Sequence, residues 1–308
     1  IISSIMLISA PVLSQHLFLF ITDDGQPKAL QLLSINDTNV DVVDPDKGHQ
    51  ALPIGDCLAL VRPEPLTNVL SNPHIQLKDG QVFVGRPTPT TTPDVVLIQH
   101  PWLGALRIPL THIESIQLNP PTNETPTRPV GFDQITLANG DALAGFISSI
   151  SDPISIEVEQ NGATELLQIP WGRISTIHLF GDPEPNVFPR VWLQDGTIVS
   201  LDGIVVDDDW LLGSNNHQFY IPDIPVSTPN QIAPSISDIH SIVFEDQSIH
   251  PLSMATNPTV TTPGVRITDP GPTRLDASAI LGLSPLSVSG PTSITWAIPK
   301  GVNTFRTT

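Results

Sequence analysis

Nine histidines, 31 carboxylates and a single thiol are the groups in this 308-residue chain that could do chemistry. The histidines show no His-x-His or His-x-x-x-His spacing, the patterns that aim two imidazoles at one ion. No metal site and no cofactor is read from them. Asp207-Asp208-Asp209 could offer oxygens to a hard cation, but it lacks the alternating ligands and the glycine of a calcium loop. Set between two apolar strands, it reads as a solvated turn, because Asp is a favoured turn residue. Nucleophile-elbow, phosphate-loop and metalloprotease-helix signatures are missing, so no catalytic residue is assigned. Carboxylates are numerous enough for a glycosidase pair, yet no particular pair stands out. Cys57 has no second cysteine to pair with, so no intrachain disulfide forms.

Five tryptophans offer aromatic planes. A sugar face is apolar and its rim polar, so a sugar site needs such a plane beside hydrogen-bonding groups. Trp192 lies out of phase with Val191 and Leu193, which points its ring to the outer face. Trp210 follows the acidic turn. Trp296 alternates with Ile294 and Ile298, which favours core packing. Trp192, Trp210 and Trp296 are the carbohydrate-contact candidates; Trp102 and Trp171 do not hold equivalent places.

The formal charge is −18, from 31 acidic and 13 basic residues. Such a surface repels phosphate backbones, and no basic stripe reverses it, which excludes nucleic acid as an expected partner. The run Ile1–Leu13 is apolar but shorter than the roughly 20 residues a membrane helix needs. It reads as a signal-peptide remnant over 1–15 that starts inside the signal, cleaved near Ala10–Gln15. No other membrane contact is expected, and the chain is placed outside the cytoplasm: secreted, periplasmic or at the cell surface.

The elements that must position these residues recur. Four segments end an apolar alternation on a turn: LFITDDG at Gly25, IQLKDG at Gly80, ITLANG at Gly140 and VWLQDG at Gly196, spaced by 55, 60 and 56 residues. Asp-Gly and Asn-Gly predict a two-residue hairpin loop with both residues at positive φ. Leu19 with Ile21, Ile75 with Leu77, Ile135 with Leu137 and Val191 with Leu193 are the expected inward pairs. A second and a third strand follow in each copy. Next comes an apolar-Pro step (Leu52-Pro53, Ile108-Pro109, Ile169-Pro170, with Ala233-Pro234 looser), then a closing strand: CLALV (57–61), IESIQL (113–118), ISTIHL (174–179) and IHSIVF (239–244). Cys57 falls where Ile113 and Ile174 fall, which makes it a small core hydrophobe. The Pro- and Thr-rich stretches 86–93, 119–130 and 181–189 are expected to be linkers or surface loops.

About five strands in about 55 residues resembles a small SH3-like or Sm-like barrel. The likeness is one of strand pattern only, and RNA binding is not carried over. Beyond residue 262 the pattern changes. GPTSITWAIPKGVNTF (290–305) resembles the NPCBM family, the novel putative carbohydrate-binding module, through Ile294, Trp296, Ile298, Pro299, Gly301 and Phe305. The combination is similar to secreted planctomycete-type proteins with β-repeats. The resemblance implies a jelly-roll sandwich that binds glycans, cut short at Thr308.

The expectation is an all-β chain: tandem small SH3/Sm-like β-barrel modules over 16–62, 72–119, 131–180 and 188–246, then a partial jelly-roll β-sandwich over 262–308. Its expected role is non-catalytic binding, with glycans as partners and the modules as spacer or interaction units. The alternatives are a purely structural surface or complex-forming protein contacting other cell-surface proteins, and the accessory region of a glycoside hydrolase.

Overall fold

The computed structural model describes residues 17–22, 27–63, 72–119, 131–160, 162–182, 184, 189–201, 203–207, 210–212 and 234–244, with two isolated strands at Thr259–Val260 and Ile294–Thr295. Ile1–Leu13 and most of the 262–308 segment lie outside the described residues. The protein is all-β: among the described residues the only helical elements are short 3-10 turns.

Module 1 runs β1 (Leu17–Thr22), β2 (Pro27–Ile35), β3 (Asn39–Asp44), β4 (Gly48–Pro53), a 3-10 turn and β5 (Cys57–Val61). The first four strands form an antiparallel meander, and β5 returns to the far side of β1. Module 2 comprises β6 (His74–Leu77), β7 (Val82–Val84), β8 (Pro87–Pro89), β9 (Val95–His100), β10 (Gly104–Pro109) and β11 (Ile113–Gln117). Module 3 comprises β12 (Asp133–Leu137), β13 (Ala142–Ser149), β14 (Ile154–Gln160), β15 (Ala163–Ile169) and β16 (Ile174–His178). Module 4 comprises β17 (Arg190–Leu193), β18 (Ile198–Ser200), β19 (Val205–Asp207), β20 (Trp210–Leu212) and β21 (Ile239–Val243).

The apolar-Pro step has a clear local role. Pro53, Pro109 and Pro170 each sit just before a 3-10 turn, with φ of −56°, −65° and −57°, the range the proline ring imposes. In module 4 Ser235 takes that place, and its turn is closed by Asp238, whose carboxylate accepts from the Ser235 amide at 2.9 Å.

Four expectations are corrected. The hairpin loops of modules 2, 3 and 4 have three residues, not two. The Gly80 amide donates to the Leu77 carbonyl and the Leu77 amide to the Gln81 carbonyl. This leaves Lys78-Asp79 at the centre of the turn and Gly80 as a left-handed bulge, φ 79°. The Asx side chain accepts the amide two residues on, in Asp79 (3.0 Å), Asn139 (3.2 Å) and Asp195 (2.9 Å). In module 1 the inward pair is Phe18 and Phe20, both buried, while Leu19 and Ile21 face outward. The stretch 86–93 is not wholly a loop, since Pro87–Pro89 pairs with Val96–Ile98 as an edge strand, the setting in which a sheet tolerates proline. Finally, the modules do not close into barrels. The outer edge of each closing strand, which would complete a barrel, is taken by the closing strand of another module.

Those contacts build one 18-stranded sheet system. Between modules 2 and 3, Ile116 lies opposite Ile177, Ser115 opposite His178, and Gln117 opposite Thr176. The two isoleucines hold the same place in their modules, and the flanking pairs are reciprocal, so the contact is a local twofold. Modules 1 and 4 repeat it: Leu60 opposite Ile242, Ala59 opposite Val243, Val61 opposite Ser241. A shared β-bulge accompanies this register. Against its own first strand, each closing strand skips one residue, at Leu58, Glu114, Ser175 and His240. The carbonyl of each bulged residue accepts an amide from the partner module: Leu58 from Phe244 (3.1 Å), Glu114 from Leu179 (2.9 Å), Ser175 from Leu118 (2.8 Å), and His240 from Arg62 (2.8 Å).

Modules 2 and 4 meet differently, hairpin to hairpin. Val82 lies opposite its counterpart Ile198. The Gln81 side-chain oxygen accepts the Ser200 amide at 2.9 Å, and the Thr197 hydroxyl accepts the Val84 amide at 3.2 Å. These pairs are again equivalent, so this contact is also a local twofold. The spatial order is therefore 3–2–4–1, with closing-strand, hairpin and closing-strand contacts in turn. One apolar core runs through all four modules, and a second cluster (Ala59, Val61, Val82, Val84, Trp192, Ile198 and Val243) seals modules 1, 2 and 4 together.

Candidate functional site

Trp192 does point to the outer face, but that face is covered. Its ring belongs to the second apolar cluster and is 4% exposed. A ring so enclosed offers no plane to a sugar, so the expected exposure of Trp192 is corrected: alternation fixes a side chain's face, and a neighbouring module decides whether the face is wet. Trp210 opens β20 opposite Asp207. Trp296 lies outside the described residues, although Ile294–Thr295, just before it, pairs with Thr259–Val260. Cys57 is buried as expected.

His100 sits at the hairpin contact and superficially resembles a base beside a hydroxyl. Its Nδ1 accepts the amides of Trp102 (3.3 Å) and Leu103 (3.2 Å). That leaves the proton on Nε2, which donates to the Thr197 hydroxyl oxygen at 2.9 Å. A general base would have to accept from that hydroxyl. The arrangement instead fills Thr197 as an acceptor, from His100 and from Val84, and fixes modules 2 and 4 in register. The Arg190 guanidinium adds a bond to the Asp79 carbonyl across the same contact. His74 is buried with Nδ1 donating to the Asn72 carbonyl at 2.9 Å, and burial pushes its pKa down.

A cleft of about 290 Å³ opens between modules 1 and 4, with Asp37, Gly55 and Cys57 on one side and Pro189, Ile204 and Phe244 on the other. It is at the small end of the range for ligand recesses, and only Asp37 brings a charge. Among the described residues no group of three or more His, Cys, Asp or Glu is placed to hold a metal.

The most distinctive surface lies on module 3. Phe132, Phe146 and Phe180 are 62%, 64% and 57% exposed. One carboxylate draws their strands together: Asp133 accepts the amide of Phe180 at 2.7 Å and that of Ile147, next to Phe146, at 2.8 Å. Phe146 shares its face of β13 with Ala142 and Ala144, also exposed. The Leu137 amide donates to the Asp141 carbonyl at 2.8 Å; hydrogen-bonded and non-hydrogen-bonded pairs alternate from there, so Ala142, opposite Thr136, and Ala144, opposite Gln134, direct their backbone groups away from β12. This edge corresponds to the edges that β7 and β18 present to each other. The sequence carried a signal for the phenylalanines, since Phe146 is out of phase with the buried Ile147. The tie between their backbones was not readable, because it depends on a side chain, Asp133, bridging two segments. No protein-family profile and no curated protein sequence matches this chain.

Proposed function

We propose that this chain is a non-catalytic, complex-forming protein of the cell exterior, whose four modules act as one platform for contacts with other protein chains. The observation that supports this reading is the paired use of strand edges. Modules recruit one another through reciprocal edge contacts, and module 3 keeps such an edge open on the strand that carries the exposed Phe146. Open strand edges and exposed apolar groups of this kind mark sites of chain association. A photoreactive phenylalanine analogue at position 146, activated in cells that make the protein, tests the reading. Interchain products are expected at 146 and not at the buried position 83. Loss of all interchain product from a folded, expressed chain sinks it.

A second reading, glycan binding by the C-terminal segment, is favoured by the NPCBM-like residues Ile294, Trp296, Pro299, Gly301 and Phe305. A glycan array probed with the full chain and with Trp296→Ala tests it. Binding to no glycan discards this reading.

A further inference from the structure

We infer that the open edge of module 3 is an interface between two copies of this chain, joined by a twofold hairpin contact at Ala142. The inference rests on the complex-forming reading and names the partner. Within one chain, modules follow the order 3–2–4–1, and closing-strand and hairpin contacts alternate, with Val206 opposite Ile35 adding a bridge to the contact of modules 4 and 1. Module 3 has used its closing strand on module 2, so the next contact in the series is a hairpin contact. Module 1 has used its closing strand on module 4 and stands at the same point in the series.

The two ends differ at the bridging residue. The position that bridges modules 2 and 4 is Val82 in one and Ile198 in the other. Its counterparts are Ala142 in module 3, opposite Thr136, and Pro27 in module 1, opposite Ile21. Proline has no amide hydrogen to give to a neighbouring strand. Module 1 is therefore stopped, as edge strands commonly are, while module 3 is open. A series open at one end and blocked at the other, extended by a self-complementary contact, yields a closed dimer and not a fibre.

The groups needed for the contact are in place. In the internal hairpin contact the residue before the bridge accepts the partner's amide two residues beyond it: Gln81 from Ser200 and Thr197 from Val84. In module 3 the residue before the bridge is Asp141, an acceptor, and the amide two residues beyond is that of Ala144. The apolar part also corresponds. Val82, Val84 and Ile198 are buried by the internal contact, whereas Ala142, Ala144 and Phe146 lie exposed on the same side of their strand.

The full chain is measured by analytical ultracentrifugation at concentrations up to about 100 µM, where an interface with a micromolar or tighter Kd is mostly occupied. The expected species is twice the 33.2 kDa chain mass. Ala142→Pro, which copies module 1, is expected to give the single-chain mass with an unchanged far-ultraviolet circular dichroism spectrum. Ala142→Cys is expected to form a disulfide between two chains on mild oxidation, because strand residues directly opposite lie about 4.5–5.5 Å apart at Cα, within disulfide reach. Leu143→Cys, on the other face, is expected not to. A wild type of single-chain mass, or a folded Ala142→Cys chain that does not cross-link, overturns the dimer. Should Ala142→Pro fail to fold, the cysteine pair decides alone. A single-chain mass combined with photo-cross-links from position 146 to a different protein overturns the dimer and leaves the complex-forming reading standing. A single-chain mass with no interchain product ends both.

Discussion

Truncating Ile116 to alanine should destabilise module 3 as well as module 2, although Ile116 belongs to module 2. Ile116 is fully buried and lies directly opposite Ile177, which is equally buried. Its strand, β11, is hydrogen-bonded on one side to β6 of its own module and on the other to β16 of the next. Removing three carbons from such a site costs about 2–5 kcal/mol, the transfer loss plus the cavity left behind. That is a large part of the roughly 5–15 kcal/mol that holds an ordinary domain. Ile177→Ala should cost a similar amount. Because the two side chains share one site, the double variant should depart from the sum of the singles by about 0.5–3 kcal/mol. Urea unfolding followed by fluorescence measures this, with two variants that keep either Trp102 (module 2) or Trp171 (module 3) as the only tryptophan among the modules. Both rings are partly buried against the main core, so both report its loss. Coincident transitions that move together with Ile116→Ala are expected. A transition at Trp171 that ignores Ile116→Ala, together with additive singles, would refute the idea that the closing strands weld the modules into one unit.

Gly145→Ala should be severely destabilising, because its Cβ would lie 2.1 Å from the Glu157 carbonyl oxygen in the neighbouring strand. Backbone cannot yield as a flexible side chain can, so a thermal scan should show a markedly lower midpoint than for Gly172→Ala, whose Cβ meets open space at an ordinary φ. An equal or smaller shift for Gly145→Ala would contradict this packing. His74 should make stability fall as the medium is acidified. Its pKa is lowered by burial, so the unfolded chain takes up a proton below about 6.5 while the folded chain does not. The contribution is fully present above that value and is lost as pH falls below it, by at most about 1.4 kcal/mol per pH unit for one proton. The urea midpoint of wild type should fall relative to that of His74→Phe between pH 7 and pH 5, and parallel pH profiles would count against the assignment. Pro27→Val should open module 1 and convert the dimer into larger species that grow with concentration, visible by light scattering; a dimer that stays a dimer shows that Pro27 is not the stop.

The repeat, the all-β class and the core role of Cys57 were legible in the sequence, because each depends on neighbours within a strand or on a turn a few residues away. Alternation placed Ile75, Leu77, Ile135, Leu137, Val191 and Leu193 correctly. It failed in module 1, where both phases of LFLFI (17–21) are apolar and only packing, which buries Phe18 and Phe20, selects the inward one. The Asx-Gly pairs announced hairpins but not their loop length, since two- and three-residue loops both want glycine at positive φ. Tertiary structure decided what no local rule could reach. It chose between closing a barrel within a module and pairing the closing strand with another module, a competition for one strand edge between segments that in modules 1 and 4 are 182 residues apart at Leu60 and Ile242. That choice buried Trp192, removed it from the sugar-contact candidates and left Phe146 exposed. A side chain's face is fixed by strand period two, whereas whether that face meets water is fixed by which module arrives there.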